Sequence, residues 1–145
     1  MKINTFEKFK EYVENLNKRR FSGKFYTDDI LENIFYWEYN SVIKFEIIHD
    51  WYFDMPHFAI GCDIIYERKE LEEHFQIVED NFIKFLERIE NEGIIFIIKK
   101  NIFNKYSIVD IMFVNEYNDE IKNKYKDNFF NKYFEVFSKD KWYNK

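Results

Sequence analysis

The sequence has few of the residues that interrupt or cross-link a chain: one proline, three glycines and one cysteine in 145 residues. A single cysteine, Cys62, excludes a disulfide within the chain. Three isolated glycines cannot form the glycine-rich loops that cradle phosphate groups in the common nucleotide-binding classes. The scarcity of proline and glycine predicts long regular elements.

Long hydrophobic runs are also missing. The longest, such as Gly93–Ile98, are far too short to span a bilayer. Residues 1–20 are amphipathic and charged, without the continuous apolar core of a signal peptide. We therefore expect a cytoplasmic protein that does not contact a membrane.

The composition is that of a folded protein, with 46% hydrophobic and 34% charged residues. Its length predicts a single domain covering residues 1–145. The abundance of Phe, Tyr, Ile, Lys and Asn, all encoded by AT-rich codons, indicates a bacterial or phage genome of low GC content.

Acidic charge is concentrated in the middle of the chain. Residues 28–92 contain 17 Asp and Glu against five Lys and Arg, a net charge of −12, although the whole chain carries only −5. Such a region is unsuited to nucleic acid, because phosphate contacts require Lys and Arg. It favours a protein partner with a basic surface, attracted by electrostatic steering.

The first half of the chain predicts two helices and a hairpin. Thr5 begins an amphipathic helix that ends near Arg19, and Thr27 begins a second that ends near Trp37–Asn40. Residues 36–40, YWEYN, fit the start of the sheet equally well. Val42–Ile48 and Phe58–Tyr66 alternate as strands do, which predicts an antiparallel pair.

The second half predicts a helix, a hairpin and a helix. Residues 68–92 have apolar side chains at helical spacing, with His74 on the surface and without a role. Ile94–Ile98 and Ile108–Val114 are apolar throughout, as expected of central strands. Residues 119–137 repeat an apolar side chain every four positions, which predicts a last helix. The predicted fold is α+β, in the order ααββαββα, with a mostly antiparallel or mixed sheet of about four strands packed by helices.

The loop between the first two predicted strands is the candidate binding site. It combines aromatic and acidic side chains, which favour a protein contact: Asp50, Trp51, Tyr52, Asp54 and His57. Trp37 and Tyr39 either extend this aromatic surface or belong to the core.

The same loop also permits a metal site as the alternative. His49 and His57, with Asp50 and Asp54, supply donor atoms that suit divalent transition metals. The two histidines are eight residues apart, and Cys62, the candidate nucleophile, is expected to point into the core. No residue is therefore assigned a catalytic, cofactor-binding or metal-binding role, and no cofactor is expected.

These observations favour a small acidic protein, not an enzyme, that binds and blocks a protein partner. Toxin-immunity proteins and phage-borne inhibitors of host defence are of this kind. A metal-dependent enzyme or metal-binding protein using the His49–His57 loop is the alternative. A homodimer formed by Val42–Ile48 as an edge strand is a further prediction.

Overall fold

The structure, a computed structural model, describes residues 5–31, 34–48, 57–78 and 82–140, with the backbone alone at 57–60, 75–78 and 82. These residues contain three α-helices: α1 (Phe6–Lys18), α2 (Phe82–Asn91) and α3 (Asp119–Lys124). They also contain eight strands: β1 (Lys24–Thr27), β2 (Ile34–Glu38), β3 (Ile43–Ile48), β4 (His57–Tyr66), β5 (Lys69–Val78), β6 (Ile94–Asn101), β7 (Tyr106–Phe113) and β8 (Asn131–Phe137).

The strands form two antiparallel sheets. Strands β1 to β5 form a meander in which each strand pairs with its neighbours in sequence, and the second sheet has the order β7-β6-β8. The predicted α+β class is confirmed. The predicted order and the single sheet of about four strands are wrong.

The predicted hairpin of β3 and β4 is confirmed, with Phe45 opposite Cys62. However, β3 is the central strand of the meander, because it also pairs with β2. Its backbone groups thus form hydrogen bonds on both sides, so the prediction that Val42–Ile48 is an edge strand is wrong. The homodimer itself stays a prediction.

Helix α1 is confirmed. The Thr5 hydroxyl accepts a hydrogen bond from the Lys8 backbone N–H at 3.2 Å, as expected of an N-cap. Its buried face packs against the meander, and Asn17 joins helix to sheet. The Asn17 side chain bonds both the N–H and the C=O of Phe25, each at 2.7 Å.

The helix predicted from Thr27 is wrong, because these residues form a hairpin of β1 and β2. The Asp28 carboxylate accepts hydrogen bonds from the backbone N–H groups of Ile30 and Leu31, which closes a local turn instead of starting a helix. Beyond the turn, Phe35 and Trp37 are buried, so the chain alternates with the period of a strand.

The long helix predicted over 68–92 is also wrong, since its first half is β5 and only Phe82–Asn91 is helical. A tight turn joins β4 to β5, with Glu67 and Arg68 at φ of 52° and 64°. Positive φ at both central residues is typical of a type I′ hairpin turn, which usually contains Asn or Gly. Neither residue is present here, so no local residue preference predicts the turn.

The helix predicted over 119–137 ends early, and Asn131–Phe137 is strand β8. Asp127 accepts from the Tyr133 N–H at 2.8 Å, and Asn128 accepts from the N–H groups of Phe130 and Asn131, each at 2.9 Å. These local hydrogen bonds hold a non-helical connection in place. Of the two strands predicted to be central, β6 is confirmed, but β7 lies at the edge of its sheet.

One hydrophobic core joins α1, α2 and both sheets. Trp37 is fully buried there and stacks on Phe25, with ring centroids 5.1 Å apart and an interplanar angle of 11°. Its indole N–H donates to the backbone carbonyl of Ser22 at 2.6 Å. The buried aromatic residues of β1 and β2, Phe25, Phe35 and Trp37, therefore form the centre of the fold.

Candidate functional site

The predicted partner-binding loop lies largely outside the described residues. Asp50, Trp51, Tyr52 and Asp54 are in the segment 49–56, as is His49. His57 begins β4, paired with Val78, and its side chain is also outside the described part. The role assigned to this loop thus stays a prediction.

Cys62 points into the core, as expected, and is fully buried. Burial raises the pKa of its thiol well above the usual value, and the neighbouring Asp63 carboxylate adds to the rise. Since the thiolate is the reactive form, this cysteine is a poor nucleophile.

The outward side of the five-stranded sheet carries two rows of side chains that run across the strands. We call these two rows, together with Ile65 and Glu70, the open face. Within it the polar and aromatic side chains are exposed or half-buried. The first row is Lys24, Glu38, Lys44, Asp63 and Glu72, and the second is Tyr26, Tyr36, Glu46, Gly61 and His74.

The open face is predominantly acidic. Lys24 and Lys44 are its basic residues, against five carboxylates: Glu38, Glu46, Asp63, Glu70 and Glu72. The antiparallel pairing brings them together from β2, β3, β4 and β5. Part of the acidic middle of the sequence therefore forms one surface, which the sequence alone could not establish.

A concave pocket of about 440 Å³ lies at one end of the open face. Val42 and Ile65 give it apolar lining. Its negative charge comes from four carboxylates, which outnumber its one lysine, Lys44: Glu38, Asp63, Glu70 and Glu72. A pocket with both properties fits a side chain that has an apolar stem and a cationic end, as Lys and Arg do.

The surroundings of Asp63 on the open face disfavour its charged form. Partial burial raises the pKa of Asp63 above its ordinary value of 3.8, and the negative charges of Glu72 and Glu46 raise it further. Lys44 and His74 act in the opposite direction. The unbound protein therefore holds Asp63 in an environment that disfavours its charge, and a cation bound beside it would relieve this cost.

The raised pKa of Asp63 predicts a pH-dependent loss of stability. Because the folded state holds this proton more tightly than the unfolded state, the free energy of unfolding falls as pH rises from near 4 through the folded pKa. Asp63→Asn removes this pH-dependent fall in the free energy of unfolding. The stability of the variant relative to the wild type should therefore rise between about pH 3.5 and about pH 7. Urea denaturation at both pH values measures the difference. If the wild type and Asp63→Asn change equally in stability between the two pH values, the assignment is wrong.

Gly61 makes room for its neighbours on the open face. A Cβ atom at this position would lie 2.8 Å from His74 Nδ1 and 3.1 Å from Glu46 Oε2. The two side chains thus approach each other over the glycine from the flanking strands. His74 is a surface residue, as predicted, but it lies on a strand beside a carboxylate and not on a helix.

Two tyrosines form the aromatic part of the open face. The rings of Tyr26 and Tyr36 stack with centroids 5.2 Å apart, and Lys44 Nζ lies 4.4 Å from the centroid of the Tyr36 ring. A hydrogen bond with Tyr26 is the largest cause that raises the pKa of Lys44. These tyrosines were not singled out from the sequence, although they alternate with the buried Phe25, Phe35 and Trp37.

Trp37 and Tyr39, weighed above as surface or core, are core residues with exposed fractions of 0% and 7%. Among the described residues, no three His, Cys, Asp or Glu side chains cluster in a way that could hold a metal ion. Within the same part of the chain, no helix has the length and apolar character needed to cross a membrane.

No protein-family model matches the chain, no curated protein is significantly similar to it, and no solved structure shares its fold at a significant level.

Proposed function

We propose that this chain is a cytoplasmic, non-catalytic protein that binds and blocks a protein partner with a basic surface. Toxin-immunity proteins and phage inhibitors of host defence work in this manner. The observation that supports the proposal best is the open face, which gathers five carboxylates from four strands, four of them lining a concave pocket. A surface of one charge sign favours encounter with a partner of the opposite sign.

The pocket suggests how the partner is recognised. An Arg or Lys side chain of the partner would place its stem against Val42 and Ile65 and its charged end between Asp63 and Glu70. The stacked Tyr26 and Tyr36 lie on the same face and offer a flat area for further contact. Neither feature requires bond-making chemistry, which is why a binding function fits this face better than catalysis.

Charge reversal on the open face should weaken the complex. Glu70 and Glu72 are exposed, so Glu70→Lys with Glu72→Lys should leave the fold intact. We expect the Kd for the partner to rise by at least about tenfold, because two attractive contacts become repulsive. The partner is recovered by co-purification from the native cell, identified, purified and titrated by calorimetry at low and high salt.

The matched control reverses two exposed acids elsewhere, Glu11→Lys with Glu14→Lys on α1, which changes the net charge equally. This control should keep the wild-type affinity within about a factor of three. A partner that binds the open-face variant as tightly as the wild type, or a partner with an acidic contact surface, would refute the proposal.

The same titration tests the loop predicted from the sequence. If the loop also contacts the partner, Trp51→Ala combined with Asp50→Ala and Asp54→Ala should lower the affinity without unfolding the protein. Elemental analysis tests the metal alternative. Stoichiometric zinc, manganese or iron that is lost in His57→Ala would favour a metal-binding protein instead.

A further inference from the structure

Two loops of the second sheet have nearly the same sequence. Residues 100–105 read KNIFNK, and residues 126–132 read KDNFFNK. Each places two large apolar residues between asparagines, with a lysine at either end. We call these two segments the twin loops.

The twin loops lie side by side at one end of the sheet. Strands β6 and β8 pair with Asn101 opposite Asn131 and Lys100 opposite Lys132, so the segments next to these residues are neighbours. Both are held by an asparagine side chain. The Asn101 side chain accepts from the N–H groups of Phe103 and Lys105. The Asn128 side chain likewise accepts from the N–H groups of Phe130 and Asn131.

The apolar residues of the twin loops project into solvent. Ile102, Phe103, Phe129 and Phe130 are 54%, 76%, 86% and 60% exposed. The other large apolar residues with high exposure in the described part of the chain are Ile30, Leu31 and Ile48. More than half of this exposed apolar surface is therefore gathered at one end of the molecule, a concentration that marks an interaction site.

The surroundings of the twin loops are basic. Residues 99–106 and 126–133 contain five lysines and one acid, Asp127, in a chain with a net charge of −5. The Asp127 carboxylate is engaged with the Tyr133 N–H. A cleft of about 190 Å³ between the loops is lined by Lys100 and Lys132 together with asparagines and the apolar residues.

We propose that the twin loops form a contact site for the surface of an anionic lipid bilayer. Protruding apolar side chains can enter the interfacial layer of a bilayer without a complementary pocket, and lysines beside them face the lipid phosphates. The combination of apolar side chains and flanking lysines on both loops matches a surface whose phosphates cover an apolar interior. Single-stranded nucleic acid fits less well, because the Phe129 and Phe130 rings meet edge to face at 88° and offer no parallel stacking surfaces.

The proposal revises the sequence-based expectation that the protein has no membrane contact. That expectation rested on the lack of spanning and signal segments, whereas a peripheral contact needs neither. It is also independent of the open face, whose charge has the opposite sign.

Sedimentation with vesicles tests the proposal. Wild-type protein should bind vesicles of phosphatidylglycerol and phosphatidylcholine in equal parts and should not bind phosphatidylcholine alone. Phe103→Ser with Phe129→Ser should lower the partition coefficient at least about tenfold. Salt should weaken binding as well, since the Debye length shortens from about 10 Å at 0.1 M to about 3 Å at 1 M.

The matched control is Ile30→Ser with Leu31→Ser, which removes exposed apolar side chains that follow Asp28 and Asp29 in the chain and lie outside the twin loops. It should bind vesicles as the wild type does. Circular dichroism should show that both double variants are folded, as their exposed positions predict.

Three results would overturn the proposal. The first is that the wild type does not bind the mixed vesicles. The second is that the loop variant and the control variant lose binding equally. The third is that the protein binds a single-stranded oligonucleotide instead of vesicles, and that this binding depends on Phe103 and Phe129.

Discussion

Replacing Trp37 with alanine is expected to lower the free energy of unfolding by about 4 kcal/mol, among the largest effects of any single substitution in this chain. The side chain is fully buried and contacts Phe25 by stacking, and Tyr39 and Phe45 at centroid distances of 5.1 and 5.5 Å. Alanine would leave a cavity among aromatic rings that cannot collapse without moving three strands. Urea denaturation followed by circular dichroism measures the change.

Trp37→Phe provides the control, because it keeps an aromatic ring but loses the hydrogen bond from the indole N–H to Ser22. It should cost about 1 to 2 kcal/mol, through the unpaired carbonyl and the smaller ring. If Trp37→Ala costs less than about 1 kcal/mol, Trp37 does not occupy the centre of the core.

Gly23→Ala is expected to have the second large effect, a loss of at least about 2 kcal/mol. Gly23 has φ of +79°, where other residues are strained, and a Cβ atom would lie 1.8 Å from the backbone oxygen of Glu38. Because the obstacle is backbone, relief requires the start of β1 to move away from β2. Thermal and urea denaturation should both detect the loss.

Gly61→Ala is the control at a tight glycine with ordinary backbone conformation. Its φ is not in the left-handed region, and the atoms close to the added Cβ belong to the side chains of His74 and Glu46. Those side chains can rotate toward solvent, so we expect a cost below about 1 kcal/mol. Equal costs at the two glycines would show that backbone conformation does not determine the effect at Gly23.

Two failed helix predictions, those over 68–92 and 119–137, have a shared physical origin. A spacing of four residues keeps side chains on one face of a helix and also on one face of a strand, since four is twice the strand period. Leu71 and Phe75 in β5, and Tyr133 and Phe137 in β8, fit both patterns. The residues around Leu71 show the strand pattern, because Glu70 and Glu72 on either side of this buried residue are exposed.

Turn chemistry explains the remaining errors. The turn at Glu67 and Arg68 adopts positive φ without glycine or asparagine, so its stability comes from the long β4–β5 pairing and not from local preference. By contrast, α1 was predictable because its cap, its apolar stripe and its length all agree. The strand pair β3–β4 and the central strand β6 were predictable for the same reason.

The candidate site was predictable only in its charge. The excess of acids in residues 28–92 is visible in the sequence, but their placement on one face depends on the register of four strands. Because β2 and β5 were predicted as helices, Glu38, Glu70 and Glu72 could not be placed beside Asp63. The open face thus depends on tertiary pairing that no local pattern encodes.

The meander has a consequence for how the chain folds. Each pair in the five-stranded sheet joins strands adjacent in sequence, so every pairing closes a short loop and the entropy cost of each step is small. In the second sheet the chain instead goes from β7 to the opposite side of β6, where β8 pairs with β6. The Ser138 hydroxyl after β8 accepts a hydrogen bond from the Ile94 N–H at 2.9 Å. This pairing closes a loop that contains β7 and α3. We therefore expect the meander to form early and β8 to dock late, so that the two twin loops come together only when folding is nearly complete.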